Sequence, residues 1–282
     1  MLKTSFQLLD FMLSNFTKPL IMGILNATPD SFSDGGKFIQ VENALAHALQ
    51  MISDGAEIID VGGESTRPGS ESVSATQQIQ RVVPVIEAIR SRSDVLISID
   101  TTLSEVARAA LDAGANIIND VSAGNDDEKM FELAAQKNVP IILMHAQGTP
   151  KTMQENPYYE NVVSEVLNAL KQRAAAAISA GVKKENIVLD IGIGFGKRKQ
   201  DNLALLAHLS DFVQLGFPVL LGTSRKRFMG SICNVNEPAE LITATAVTTA
   251  LGVMAGVQIF RVHDVKENKQ ALDVTLAIKN GG

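Results

Sequence analysis

A single cysteine, Cys233, is all that the 282-residue chain carries. A lone thiol can form neither an internal disulfide nor a thiolate metal cage, so nothing points to an oxidising compartment. Histidine is scarce too: there are four, none at metal spacing from His145, and they make no zinc triad. No stretch of about 18 uncharged apolar residues occurs, because Asp10 interrupts the mildly apolar first 19 residues. A basic segment followed by a small-residue cleavage site is also missing. The chain therefore reads as cytoplasmic, with no membrane partner, and the glycosylation sequon Asn15-Phe16-Thr17 carries no weight. Excess positive charge is absent as well. A net charge of −6 argues against a surface that grips nucleic acid, while leaving room for a local basic pocket that takes a small anion. With 45% apolar and 20% charged residues, the composition is that of a globular protein rather than a collagen, a coiled-coil rod or a disordered chain.

What is present is an alternation. Eight short runs rich in Ile, Val and Leu fall at residues 20–25, 58–61, 95–99, 117–118, 141–144, 187–189, 219–221 and 257–260. Most do not alternate with polar residues, which is how strands buried on both faces read. Between them lie stretches of helical spacing at 41–53, 73–91, 103–113, 128–136, 159–180, 202–215, 239–255 and 265–279. Several stop at a glycine, as at Gly55, Gly114, Gly181, Gly216 and Gly256, the expected residue past a helix end. Eight strands each followed by a helix predict a single-domain (β/α)8 TIM barrel over residues 1–282; a doubly wound sheet is the competing arrangement. The helix ending at Ala255 is apolar nearly all round, which suits either core packing or a subunit interface.

Every strand end carries polar or charged residues. Asn26 closes the first, ahead of Thr28-Pro29-Asp30-Ser31-Phe32; Asp60 is in the second, ahead of Ser65-Thr66-Arg67-Pro68-Gly69. Asp100, Asn119-Asp120 and Met144-His145 mark the third to fifth. Asp190 closes the sixth, followed by Gly192-Ile193-Gly194-Phe195-Gly196-Lys197; Ser224-Arg225-Lys226 follows the seventh and Arg261-Val262-His263-Asp264 the eighth. One Asp or Asn at such a junction is explained as a helix cap worth about 1 kcal/mol, but eight of eight are not. In a barrel these positions share the C-terminal rim where active sites are built. The acceptors Asn26, Asp60, Asp100, Asn119 and Asp190 are expected on one side of that mouth. The donors Arg67, Arg225, Lys226, Arg261 and His263 are expected on the other. A matching ligand has an anionic end and a ring rich in N–H groups, as in an amino-substituted heterocycle carrying a phosphate.

Other signatures fail. The glycine run at 192–196 is not G-x-G-x-x-G, and Gly196-Lys197 is not followed by Ser or Thr, so neither a dinucleotide fingerprint nor a P-loop is present. Ser224 has no paired base in view, which disfavours a nucleophilic serine. Lys226 reads either as a Schiff-base lysine or as a solvated helix-start lysine, and His145 as structural or functional.

Taken together, Met22-Gly23-Ile24-Leu25-Asn26-Ala27-Thr28-Pro29-Asp30-Ser31-Phe32-Ser33-Asp34-Gly35-Gly36, Asp60-Val61-Gly62-Gly63-Glu64-Ser65-Thr66-Arg67-Pro68-Gly69, Ile99-Asp100-Thr101, Ile118-Asn119-Asp120-Val121, Met144-His145, Gly192-Ile193-Gly194-Phe195-Gly196-Lys197, Gly222-Thr223-Ser224-Arg225-Lys226-Arg227-Phe228 and Arg261-Val262-His263-Asp264-Val265 resemble the dihydropteroate synthase family of folate biosynthesis. The matches run in order, one per strand end. Ile191 departs from the proline usual there. The resemblance implies a homodimeric, Mg2+-using transferase that joins 4-aminobenzoate to 6-hydroxymethyl-7,8-dihydropterin pyrophosphate. It implies that Asp100, Asn119, Asp190 and Lys226 hold the pterin, with Met144 and Val121 packed against it. Asn26, Arg67, Arg261 and His263 would hold the pyrophosphate, with Asn26 also a metal ligand. Ser224 would meet the aminobenzoate carboxylate, and Phe32, Thr66, Pro68 and Phe195 would wall its pocket. Asp100, Lys226, Arg261 and His263 would carry the catalysis. A methyltetrahydrofolate-using methyltransferase barrel and an inactive pterin-binding subunit are the alternatives. The first does not need the Ser224-Arg225-Lys226 and 65–69 features, and the second should have lost some of the charged set.

Overall fold

The computed structural model describes residues 18–27, 37–64, 70, 73–149, 151–153 and 155–281. Branched aliphatic side chains favour an extended backbone, and the eight runs rich in them become eight parallel strands. These are β1 Leu20–Asn26, β2 Ile58–Gly62, β3 Leu96–Asp100, β4 Ile117–Asp120, β5 Ile141–Met144, β6 Ile187–Asp190, β7 Val219–Leu221 and β8 Ile259–Val262. They pair in chain order, and β8 pairs back onto β1 (Leu20 opposite Ile259, Met22 opposite Arg261), which closes the barrel. The helices are α1 Lys37–Ser53, α2 Ala75–Arg90, α3 Ser104–Asp112, α4 Lys129–Lys137, α5 Val162–Ser179, α6 Lys199–Ala207, α7 Leu209–Val213, α8 Arg227–Cys233, α9 Ile242–Ala255 and α10 Val265–Gly281. Closure of the sheet excludes the doubly wound alternative, and the fold is the expected (β/α)8 barrel.

Each strand presents successive side chains to opposite faces. Leu20, Met22, Ile58, Leu96, Ile117, Ile142, Val188, Leu220 and Ile259 point inward and form a closed apolar plug. Their neighbours, such as Ile21, Ile59, Ile97, Ile118 and Leu189, point outward into a second core beneath the helices. Burying each of these side chains contributes about 1.5–3 kcal/mol. The same period of two then decides where the polar residues go. Asp60, Asn119, Asp190 and Arg261 sit two residues past plug residues, and Asp100 and Asn26 sit four past Leu96 and Met22. All are therefore inward and above the plug, at the C-terminal mouth.

The helix ends show where sequence patterning was imprecise. Helix α2 starts at Ala75 because the Ser74 hydroxyl accepts the Gln77 N–H. Asn161 caps α5 through Ser164 N–H, so the helix begins at Val162, three residues after the start of the periodic stretch. The stretch expected at 202–215 starts earlier and breaks at His208 (φ −116°, ψ 26°) into α6 and α7. Helix α8 was not foreseen, since seven residues show no usable period. Gly256 ends α9 in the left-handed region at φ 93°, as expected of a glycine stop.

At the opposite end of the barrel from the mouth, Arg90 ties the end of α2 to the entries of β3 and β4. Its guanidinium donates to the carbonyls of Ser93 (3.1 Å), Val95 (2.8 Å) and Gly114 (2.9 Å) and to Asn116 Oδ1 (2.8 Å). Arg90→Ala strands these acceptors and is expected to lower stability by about 2–4 kcal/mol in urea unfolding at neutral pH. A midpoint equal to that of the parent would show that the clasp is not structural.

Candidate active site

The mouth is organised around one guanidinium. Arg261 donates from Nε to Asp60 Oδ2 (2.6 Å) and from Nη2 to Asp100 Oδ2 (2.6 Å). Asn119 Nδ2 donates to the same Asp60 oxygen at 3.1 Å. Acids and bases are thus not separated on two sides, as the sequence suggested: a base stands among the acids. The register explains it. Arg261 lies opposite Met22, and Asp60 opposite Ile24, on the two flanks of β1, whose inward side chains at this level are apolar. A long arginine reaches past them to β2 and β3. Carboxylates buried without a counter-charge would each cost several kcal/mol; the bridge offsets that cost for two of them.

Burial pushes the Asp100 carboxyl up to about 7, and Asp60, Asp120 and Asp190 push it the same way, while Arg261 opposes. Burial raises Asp190 too, against the Gly192 N–H and Arg261. Burial works to lower Arg261, but Asp60 and Asp100 outweigh it and hold the guanidinium above its ordinary value. Burial and the neighbouring Arg261 bring the Lys226 ammonium down to about 8, with Asp190 and Asp100 resisting. Lys226 sits at the N-terminal boundary of α8, its ammonium 4.1 Å from the centre of the Phe195 ring, a cation–π contact. Asp60 Oδ1, Asp100 Oδ1 and Asn119 Oδ1 are buried with no hydrogen-bond partner among the described residues. Buried acceptors in that state ask for donors.

The segment after β6 is folded by its glycines. Gly192, Gly194 and Gly196 take φ values of 69°, 83° and 63°. A Cβ on Gly192 would stand 1.9 Å from the His145 carbonyl oxygen, and one on Gly196 would stand 2.2 Å from that of Gln147. Only glycine lets this segment lie against residues 145–147. The turn brings Gly192 N–H to Asp190 Oδ1 (2.8 Å), which fixes that carboxylate. Lys197, which completes no P-loop, is buried here. It donates to the carbonyls of Gly192 (2.8 Å), Phe195 (3.0 Å) and His145 (3.2 Å) and lies 3.0 Å from His145 Nδ1. Burial lowers it to about 7; burial, aided by Lys197, lowers His145 to about 3. His145 is therefore a neutral ring engaged with a lysine.

Ser224 does have a base beside it, 39 residues away in sequence. Its Oγ lies 2.9 Å from His263 Nδ1 and accepts the His263 main-chain N–H at 3.1 Å. Arg225, at φ 58°, holds Asp264 with a two-point contact of 2.5 and 3.0 Å. That carboxylate thus fixes the β7 and β8 segments to each other. Met144 closes β5, buried and facing inward. Val121 follows β4, and half-buried Asn26 closes β1. Phe32, Thr66, Arg67 and Pro68 lie outside the described residues. Asp60, one of the acceptors expected at the mouth, has no part in the substrate contacts that the resemblance implies, although its inward parity with Ile58 and its bond to Arg261 mark it.

A barrel whose mouth joins unpartnered buried acceptors to two cations defines a class: residues 22–263 match the pterin-binding enzymes. The chain is 54% identical over 255 residues to the dihydropteroate synthase of Streptococcus pyogenes serotype M6, covering 90% of this chain and 93% of that one. It superposes on the Xanthomonas albilineans dihydropteroate synthase with 4-aminobenzoic acid with a TM-score of 0.88 and 42% identity, covering 94% of each chain. On the same organism's enzyme in complex with 7,8-dihydropteroate the TM-score is 0.85 at 39% identity, covering 94% of this chain and 95% of that one. The chain belongs to the dihydropteroate synthase family.

The raised Asp100 value has a consequence for stability. Its ordinary value is 3.8, so between about pH 4 and pH 7 the folded chain holds a proton that the unfolded chain has released. This group's contribution to stability is complete below that window and is lost as pH rises through about 7. Asp100→Asn, which does not titrate, is expected to gain on the parent as pH rises from 5 to 8 in urea unfolding. A difference that stays constant with pH would contradict burial as the dominant influence on Asp100.

Proposed function

We propose that the chain condenses 6-hydroxymethyl-7,8-dihydropterin pyrophosphate with 4-aminobenzoate, releasing pyrophosphate and 7,8-dihydropteroate. One observation carries this reading: the unpartnered oxygens of Asp100 and Asn119 lie buried beside Lys226 and Arg261, a surface complementary to an N–H-rich ring with an anionic tail. In this scheme Asp100, Asn119, Asp190 and Lys226 hold the pterin ring, with Met144 and Val121 against its faces. Arg261 and His263 take the pyrophosphate with Asn26 and Arg67. The Ser224 hydroxyl meets the benzoate carboxylate, and Phe195 walls that pocket with Phe32, Thr66 and Pro68.

The substitution at the pterin methylene is dissociative. The C–O bond breaks with its electron pair leaving on pyrophosphate, whose charge meets the Arg261 guanidinium and His263. The Asp100 and Asp190 carboxylates lie where positive charge develops on the pterin, and preorganised charge of this kind is commonly the largest catalytic contribution. The aromatic amine of 4-aminobenzoate then forms the C–N bond and sheds a proton; being already nucleophilic, it needs no strong base.

Among the described residues no group of three or more His, Cys, Asp or Glu could hold a metal. Asn26 offers one hard amide oxygen at the mouth. An amide oxygen of that kind fits a hard cation, and Asn26 would be the side-chain ligand of Mg2+ entering with the pyrophosphate. When bound it neutralises charge on the leaving group. The partners are thus two small molecules and no nucleic acid.

A homodimer is part of the proposal. Val247, Leu251 and Met254 of α9 and Val274 and Ile278 of α10 are all more than half exposed, on two helices packed side by side. An apolar surface of this kind suits a subunit interface. No helix among the described residues is long and apolar enough to cross a membrane, and the proposed location is the cytoplasm.

The two substrates with Mg2+ are expected to give 7,8-dihydropteroate and pyrophosphate in equal amounts; no product would reject the reading. Asp100→Asn should lower kcat by about 10²–10³-fold with a smaller change in pterin affinity, and near-normal turnover would remove its charge role. In light scattering at micromolar concentration the parent should be a dimer and Leu251→Glu a monomer. A monomeric parent would end the interface proposal.

A further inference from the structure

Lys197 is a buried cation whose hydrogen-bond partners include no carboxylate, although the charges of Asp190 and Asp201 act on it from further off. Its ammonium stands among three main-chain carbonyls and one imidazole nitrogen, all within 3.2 Å. Carbonyl oxygens only accept hydrogen bonds, so three of them at bonding distance call for all three N–H groups of the charged form. The carbonyls come from two different strand ends: His145 after β5, and Gly192 and Phe195 after β6. Main-chain carbonyls arranged in this way can replace the hydration shell of a small cation. The left-handed glycines at 192, 194 and 196 give the segment the backbone conformation that closes around the ammonium.

What the ammonium holds is a set of groups facing the mouth. Phe195 carries the ring beneath the Lys226 ammonium. Gly192 supplies the N–H that fixes Asp190. Gly194 lies against the Lys226 side chain, 3.1 Å from its Cδ when a Cβ is placed there. His145 follows Met144. Tyr159 fastens the same segment from outside, through its hydroxyl to the Gly196 carbonyl at 2.8 Å. We propose that Lys197 is a positioning residue for the pterin site, a built-in monovalent cation that draws the β5 and β6 ends together and thereby places Asp190, Phe195 and Lys226. This inference rests on the synthase reading for its substrate, and on the carbonyl cage alone for its physics.

Two consequences separate it from a generic core lysine. Of the groups it places, Asp190 and Lys226 meet the pterin ring and Phe195 the benzoate pocket, whereas Asp100, Arg261 and His263, which face the developing charge and the leaving group, stand on other strands. Loss of Lys197 should therefore act on pterin binding more than on bond breaking. The cage should also accept a free cation once the tether is gone.

The test uses the full-length protein. Lys197→Ala removes three carbons and the nitrogen, the equivalent of n-propylammonium. The KM for pterin pyrophosphate should rise about 10- to 10²-fold with kcat changed far less, the scale of a lost hydrogen bond to a charged group. Added n-propylammonium should restore much of the lost KM and raise the melting temperature of the variant but not of the parent. Tetramethylammonium and sodium chloride at equal ionic strength should do neither. Lys197→Met, which keeps the packing and offers no room for rescue, should show the same KM defect without any response to ammonium salts. It also stands in if the alanine variant does not fold. Parental KM in the variant that folds would overturn the proposal, and so would equal rescue by all salts. A parent without turnover would reject the synthase reading instead, while propylammonium-dependent stabilisation of Lys197→Ala would still support the cage.

Discussion

A closed barrel gives its strand ends nowhere to diverge, and this constraint governs the chemistry of the mouth. Once Leu20, Ile58, Ile117, Val188 and Ile259 have filled the interior, the next inward side chains must share what space remains. Those side chains include Asp60, Asp100 and Asp190, all nearly or fully buried. In that space charge cannot be diluted by solvent, and the arrangement holds only because Arg261 spans the first two carboxylates. The guanidinium is suited to this. It is planar, keeps its charge when buried, and offers five donors in a fixed fork.

The two buried cations are stabilised by opposite means. Arg261 meets formal negative charge, and its ionisation is strengthened as a result. Lys197 hydrogen-bonds only to dipoles, and burial weakens its ionisation although the Asp190 and Asp201 charges support it from further off. The difference suits their surroundings. Carboxylate partners in the mouth can also respond to a bound ring or anion. Carbonyl partners belong to the backbone and move only if the chain moves, so the Lys197 cage serves shape rather than recognition. Lys226 lies between these cases, its ammonium against the Phe195 ring and within the influence of Asp190 and Asp100.

The barrel was legible because its signal is local. Short aliphatic runs, helical stretches and glycine stops recur along the chain, and the period of two that carries Ile58 to Asp60 or Ile259 to Arg261 is written in consecutive residues. The residue types at the mouth were legible for the same reason. Their pairings were not. Arg261 contacts Asp60 and Asp100 across 201 and 161 residues, and nothing in a run of sequence says which acid a base will meet. The expectation of separated acids and bases failed because it treated the rim as two sides, whereas β1 places only apolar inward side chains between Arg261 and its partners. Ser224 lacked a visible base for a similar reason, since His263 arrives from the next strand. Lys197 was hidden for the same reason: nothing in the sequence around it marks burial, and only the folding of residues 192–197 against 145–147 makes it a buried lysine.

The geometry at Arg261 bears on how a site so rich in carboxylates can take a pyrophosphate at all. An anion entering among Asp60, Asp100 and Asp190 meets repulsion that grows as solvent is excluded. If binding required Arg261 to leave its carboxylates, the gain on the anion would be offset by two exposed negative charges. The fork geometry removes that conflict. The contacts to Asp60 and Asp100 engage Nε and one hydrogen of Nη2. The same guanidinium can hold both acids and still present N–H groups to phosphate oxygens, with Ser224, His263 and the N-terminal end of α8 on adjoining strand ends. In the proposed reaction the leaving group would meet the N–H groups that Arg261 still has free, while the cation left behind would meet the carboxylates that the same guanidinium holds. Groups of both signs are thus already fixed beside each other before any charge develops at the methylene, and that is why the proposed dissociative path suits this mouth better than one that needs a general base.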